Sequence, residues 1–236
     1  MPADPFAAVV VAHPSRGGRA ESLADRAGAE AVFWDDAGYG CSANHLRALG
    51  WLEGSEGWAV VLEDDAVPAP GFREQLAAAL LNCPPVPVCS LYLGTGRPPH
   101  WQPSIARAEG AVQAGVSPDV PWFTAGALLH GVGYAVRRER LGELRAGARR
   151  RIAHGWPIDE AISGWLFGAG ELCAYSRPSL VDHDDGPTLI PQHPTRHKGD
   201  TPHRPERRRA WRFGTRAEWS GGVLPLPEPL RQHGGG

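Results

Sequence analysis

Three adjacent acids, Glu63, Asp64 and Asp65, follow directly on the apolar run from Ala59 to Leu62. An apolar run of this kind reads as a buried strand, which puts the acids where the strand leaves its sheet. In open α/β sheets the carboxyl ends of the strands are where ligands bind. Carboxylates this close repel one another, and burying them without partners is costly. A hard divalent cation, Mg²⁺ or Mn²⁺, removes the repulsion; such ions commonly take one or two carboxylates and complete their shell with water and phosphate oxygens. With Pro68 and Pro70 closing the segment, the pattern points to a metal–phosphate site rather than to an acidic surface turn.

The elements around these acids follow a repeating order. Ala7 to Ala12 reads as a first strand ending at His13, and Ser15 to Arg26 as a helix. Ala31 to Trp34 is a second strand, and Ser42 is placed to cap a helix running to about Leu52. Phe72 to Leu81 predicts a helix, and Val86 to Leu93 a strand. This alternation predicts an α/β fold with a mostly parallel central sheet flanked by helices. Beyond Gly94 the pattern loosens into a loop region with a short hairpin expected around Ala106 to Val116. Val132 to Val136 then reads as a strand and Arg138 to Arg149 as a helix. Pro157 suits the first turn of a helix carrying Asp159 and Glu160, and short extended pieces follow at Leu172 to Tyr175 and Ser179 to Val181. The domain is expected over residues 5–190. Residues 191–236, rich in Arg, Pro and Gly, read as a flexible C-terminal extension.

Composition narrows the class. A chain of 236 residues that is 42% hydrophobic is long enough for a sizeable core. No apolar run approaches the roughly 20 residues of a membrane span, and no basic segment precedes an apolar one near the N-terminus. The four cysteines form no Cys-x-x-Cys pair, so they read as reduced thiols of a cytoplasmic protein and not as a disulfide framework or a zinc site. A net charge of −2 argues against wholesale nucleic-acid binding. Lys198 is the only lysine among 24 basic residues, so arginine-rich stretches partly reflect codon usage.

Several segments taken in order resemble glycosyltransferase family 25, the group associated with lipopolysaccharide biosynthesis and collagen galactosylation. Gly40-Cys41-Ser42-Ala43-Asn44-His45-Leu46 is similar to the family's Gly-Cys…Ser-His helix start, with Asn44 where serine is usual. Val61-Leu62-Glu63-Asp64-Asp65-Ala66 is similar to its acidic metal-binding motif. Gly133-Tyr134-Ala135-Val136, Pro157-Ile158-Asp159-Glu160 and Pro178-Ser179-Leu180-Val181-Asp182-His183 resemble its later segments. The basic stretch that the family places after its first strand has no clear counterpart, so the resemblance is to a divergent branch. It implies a GT-A fold, a nucleotide-sugar donor with a UDP-sugar the leading expectation, a divalent metal, and inversion at the anomeric carbon.

On that resemblance the roles divide as follows. Asp65, assisted by Asp64, would hold the metal that neutralises a departing diphosphate, with His183 as a third ligand from another segment. Glu63 or Asp64 would face the donor's ribose or sugar. Asp159, or else Glu160, would take the proton of the acceptor hydroxyl, with Asp184 and Asp185 as alternates. His13 is placed to touch the nucleotide, and Arg16 or Arg19 to meet the diphosphate. Trp101, Trp122 and Phe123 are candidate stacking surfaces for a sugar ring, Trp122 foremost. Losing Asp65 is expected to relieve repulsion and leave a folded protein unable to bind donor.

Two other readings stay open. A nucleotidyltransferase would use the same acids with two metals, with Gly17-Gly18 as a thin phosphate loop. A nucleic-acid-associated protein would use the basic residues of the 196–216 stretch, including the combination of a glycosyltransferase acting on modified bases. The acceptor class, whether glycan, protein or modified nucleobase, is open.

Overall fold

The computed structural model describes residues 5–54, 56–184 and 208–228. Its first strand, β1 (Phe6–Ala12), is buried along its whole length and pairs in parallel with both β2 (Ala31–Trp34) and β3 (Trp58–Glu63). Beyond these come β5 (Val88–Ser90), β6 (Trp122–Ala125), β7 (Gly133–Arg137), β8 (Cys173–Ser176) and β10 (Val223–Pro225). They form one eight-stranded sheet in the order β10-β6-β8-β5-β7-β3-β1-β2. Its pairings are mixed, because β7 runs antiparallel between β3 and β5, and β6 antiparallel to β8. Two short strands, β4 (Ala66–Pro68) and β9 (Val181–His183), form a separate antiparallel pair.

Period-two alternation along the strands sorts the core into two faces. On β1 and β3, Ala7, Val9, Val11, Ala59 and Val61 join one apolar cluster, while Phe6, Ala8, Val10, Trp58, Val60 and Leu62 join the other. The first cluster is covered by α2 (Cys41–Leu52), α4 (Gln102–Gln113), α5 (Arg138–Ile152) and α6 (Ile158–Ala169). The second is covered by α1 (Gly17–Ala27) and α3 (Phe72–Leu81). In α1 the buried residues are Ala20, Leu23 and Ala27, three and four apart on one stripe, and the helix stops at Gly28 with φ +60°. The result is three layers, with the carboxyl ends of β1 and β3 together at one edge. Among the described residues no helix is long and apolar enough to cross a membrane.

Three expectations need correction. The loop region holds a helix, α4, in place of a hairpin; Ile105, Ala108 and Val112 give it a buried stripe. The N-cap of α2 is Gly40, not Ser42. Residues 208–228 also belong to the domain. There β10 extends the sheet beside β6, and Trp219 is buried against Trp122 with ring centroids 5.5 Å apart. Trp122 Nε1 donates to the Trp219 carbonyl at 3.2 Å, and Trp219 Nε1 to Gln75 at 3.1 Å. Of the basic residues between 196 and 216, Arg209 pairs with Asp182 at 3.0 Å and Arg216 with Asp119 at 3.5 Å. Those at 196, 198, 204 and 207 lie outside the described residues, as does Asp185.

Candidate functional site

A cleft of about 660 Å³ opens at the carboxyl ends of β1 and β3. Glu63 is the last residue of β3, and the alternation that sends Val61 to the α2 face sends Glu63 there too. Asp64 turns the other way. It accepts the His13 backbone N–H at 2.8 Å and the Arg16 guanidinium at 2.6 Å. The same Arg16 nitrogen reaches Asp65 Oδ2 at 2.9 Å, so one cation bridges the two acids. Burial raises the Asp64 pKa, aided by the charge of Asp65 and opposed by His13 N–H and Arg16. Burial also acts to raise that of Asp65, but hydrogen bonds and charges from His183 and Arg16 outweigh it and hold the carboxyl down at about 2.

His183 arrives through the short β4–β9 pair. Its register sets Ala66 opposite His183, and Asp184 N–H donates to the Asp65 carbonyl at 2.8 Å. The imidazole Nε2 then lies 3.5 Å from Asp65 Oδ2. Asp65 Oδ1 is buried and has no hydrogen-bond partner among the described residues. A buried carboxylate oxygen left without a donor is an acceptor that a cation would satisfy.

The wall on the α2 side starts at Gly40, whose φ of +86° suits glycine and whose N–H is held by Asp35 at 3.0 Å. Cys41 and His45, four apart, share one face of α2. His45 is fully buried; its Nε2 lies 3.2 Å from Glu63 Oε1, and its Nδ1 lies 3.0 Å from the Tyr134 hydroxyl. Cys41 Sγ is 3.8 Å from the same Glu63 oxygen. Together Cys41, His45 and Glu63 could hold a metal ion. Gly131 makes room for Glu63, since a Cβ there would come within 2.9 Å of Oε1.

The facing wall carries Asp159 in the first turn of α6, with Trp156 and Pro157 just before it. Burial pushes the Asp159 pKa up to about 6, with the charges of Glu63 and Glu160 adding to it and the Glu160 backbone N–H opposing it. Burial and the charges of Arg208 and His183 push His130, also in the lining, down to about 3, so its ring is neutral, and its Nε2 has no partner among the described residues. Arg208 reaches the cleft from the C-terminal segment, whose backbone is tied down by the Tyr92 hydroxyl donating to the Arg208 carbonyl at 2.7 Å.

No family model matches the chain, and no curated protein is significantly similar to it.

Of the residues singled out from sequence, the cleft brings together His13, Arg16, Glu63, Asp64, Asp65, Asp159 and His183. Others stand elsewhere. Trp122, expected at the substrate, is 1% exposed and forms core with Trp219. Phe123 and Trp101 are core as well, because each lies on the apolar face of its element. Glu160 is exposed and outside the cleft lining, its N–H capping the Asp159 carboxylate at 2.9 Å. Arg19 pairs with Asp184 away from the lining. Cys41 and His45 meet Glu63 without having been singled out from sequence as ligands, although a Cys-x₃-His spacing at a helix start is a legible signal. A Cys-x-x-Cys pair is one zinc pattern, and a mixed Cys, His and Glu group is another that could hold a metal ion. His130 and Arg208 carry no local signal, since their place depends on how distant segments pack.

Proposed function

We propose that this protein is a GT-A-like, metal-dependent glycosyltransferase that moves a sugar from a nucleotide diphosphate sugar to an acceptor hydroxyl. One observation carries the reading: in the cleft lining Asp65 shares Arg16 with Asp64 and lies 3.5 Å from His183, and its Oδ1 has no partner among the described residues. Asp65, Asp64 and His183 would hold Mn²⁺ or Mg²⁺, and a bound divalent ion would neutralise the charge that develops on the departing diphosphate. The cleft volume of about 660 Å³ suits a nucleotide-sized ligand. His13, just past the end of β1, would touch the nucleotide, and Arg16 and Arg208, also in the lining, would add positive charge for phosphate oxygens.

Asp159 is the proton acceptor in this reading. A carboxyl with its pKa at about 6 is largely ionised at neutral pH yet more basic than an ordinary aspartate. It would take the acceptor hydroxyl's proton as that oxygen attacks the anomeric carbon. Inversion is the outcome of such a single displacement and rests on the resemblance to glycosyltransferase family 25.

The test is a thermal-shift screen of UDP-, GDP-, dTDP- and CMP-sugars with Mn²⁺, with Mg²⁺ and with chelator. A ligand that binds only the folded state raises its melting temperature. A metal-dependent rise with one donor class, lost in Asp65→Ala, is the expected result. A folded protein that responds to no donor in either metal would overturn the proposal.

A further inference from the structure

β3 ends at Glu63 and the chain turns at Asp64 and Asp65, and the three acids fall into two donor sets of different chemistry. Asp64 and Asp65 belong with Arg16 and His183, while Glu63 belongs with Cys41 and His45. We propose that Cys41, His45 and Glu63 form a second metal site, for a borderline-soft divalent cation of the zinc type, with its fourth coordination position open to the cleft.

Geometry supplies the first argument. The ligating atoms of the three residues all lie within 4.8 Å of one another. In a tetrahedral zinc site, donors at about 2.0–2.3 Å from the ion stand roughly 3.3–3.7 Å apart. The Nε2–Oε1 separation is 3.2 Å and the Sγ–Oε1 separation 3.8 Å, so two of the three separations already stand near tetrahedral spacing.

The second argument is the support around the ligands. Metal-binding histidines generally commit their other ring nitrogen to a fixed partner, which sets the ring's orientation. His45 does so: Nδ1 meets the Tyr134 hydroxyl at 3.0 Å, and the two rings stack with centroids 5.8 Å apart. This leaves Nε2 directed at Glu63. Gly131 leaves Glu63 the space it occupies.

The third is ligand chemistry. One thiolate, one imidazole and one carboxylate suit zinc far better than Mg²⁺ or Ca²⁺. Three protein ligands with an open position define a site that can accept water or a substrate oxygen, and Cys41 and Glu63 both line the cleft. Binding converts the Cys41 thiol to a thiolate and releases one proton to solvent for each ion bound.

Cobalt(II) and zinc titrations of the full chain test this independently of sugar transfer. The wild type should show a near-ultraviolet sulfur-to-cobalt charge-transfer band and bind zinc in competition with a chromophoric chelator. Cys41→Ser should abolish the band and weaken zinc binding by more than about 100-fold, beyond the loss typical of an outer-shell change. Tyr134→Phe should keep the band but weaken binding by about 10–100-fold. Asp65→Ala should leave the sulfur-to-cobalt band in place, since its sulfur donor is Cys41. Should the serine variant fail to fold, Glu63→Gln gives the same zinc readout, since a carboxamide is a poor ligand. No charge-transfer band in the wild type, a band that survives Cys41→Ser, or zinc binding lost only in Asp65→Ala would each overturn the assignment.

Discussion

Asparagine in place of Asp159 should stabilise the folded protein at neutral pH while removing the proposed base. Loss of water around the Asp159 carboxyl, with the charges of Glu63 and Glu160, raises its pKa from 3.8 to about 6. Below 3.8 the folded and unfolded states both hold the proton, and the group contributes nothing to the balance. Between 3.8 and about 6 the unfolded chain ionises first, so stability falls as pH rises. Above about 6 the penalty is constant, and the span from 3.8 converts at 1.36 kcal/mol per pH unit to roughly 3 kcal/mol. Asparagine carries no charge to desolvate, and its side-chain oxygen can keep the 2.9 Å bond from Glu160 N–H. Urea denaturation of both proteins between about pH 4 and about pH 8 should therefore show a gap in favour of the variant that opens with pH and then levels. In melting temperature, roughly 3 kcal/mol is about 6–12 °C for a chain of this size. Transfer by the wild type should rise with pH through about 6. Parallel stability curves for the two proteins would refute the picture of a desolvated carboxylate.

Asp65→Ala should lose donor binding and also lose stability, the reverse of the gain that repulsion among the acids alone would suggest. Burial works against the charge, but His183 and Arg16 hold the pKa down from 3.8 to about 2, so the ionised group contributes roughly 2 kcal/mol. That contribution is present above 3.8 and fades as pH falls towards 2; an unchanged or raised urea midpoint in Asp65→Ala at neutral pH would contradict it. Arg16→Ala strips both acids of their shared cation, at a cost of about 3 kcal/mol or more. Millimolar Mn²⁺ should then stabilise this variant more than the wild type in a thermal scan, and equal responses would mean that Arg16 does not stand where a metal binds. Trp219→Ala should cost about 3–5 kcal/mol and expose residues after 207 to protease, because the indole is buried on Trp122; a loss below about 1 kcal/mol would make that segment peripheral.

The strands and helices with strong patterns were legible. Ala31–Trp34 and Phe72–Leu81 fall where their apolar residues and flanking turns place them, and Glu63 to Asp65 follow β3 as the apolar run requires. The helix Gln102–Gln113 was obscured by Pro103, Gly110 and glycine- and proline-rich flanks, although Ile105, Ala108 and Val112 carry its stripe. The β4–β9 pair was out of reach for another reason. Three-residue strands have too few positions to show a period, yet this pairing is what brings His183 to Asp65. Likewise Trp122 could be assigned to a sugar platform or to core only once Trp219, nearly a hundred residues later, was seen to pack on it.

The place of β10 at the sheet's edge bears on how the protein is made. Ala125 ends β6, and Val223 begins the strand that covers it, about a hundred residues later in synthesis. At about 5–20 residues per second, the ribosome leaves that edge bare for roughly 5–20 s. An uncovered strand edge is a template for pairing with other chains, so the nascent protein passes through an interval in which a chaperone at the exit tunnel has something to protect. Arg208 joins the cleft from the same late segment. The nascent chain therefore acquires its finished cleft and its protected edge together.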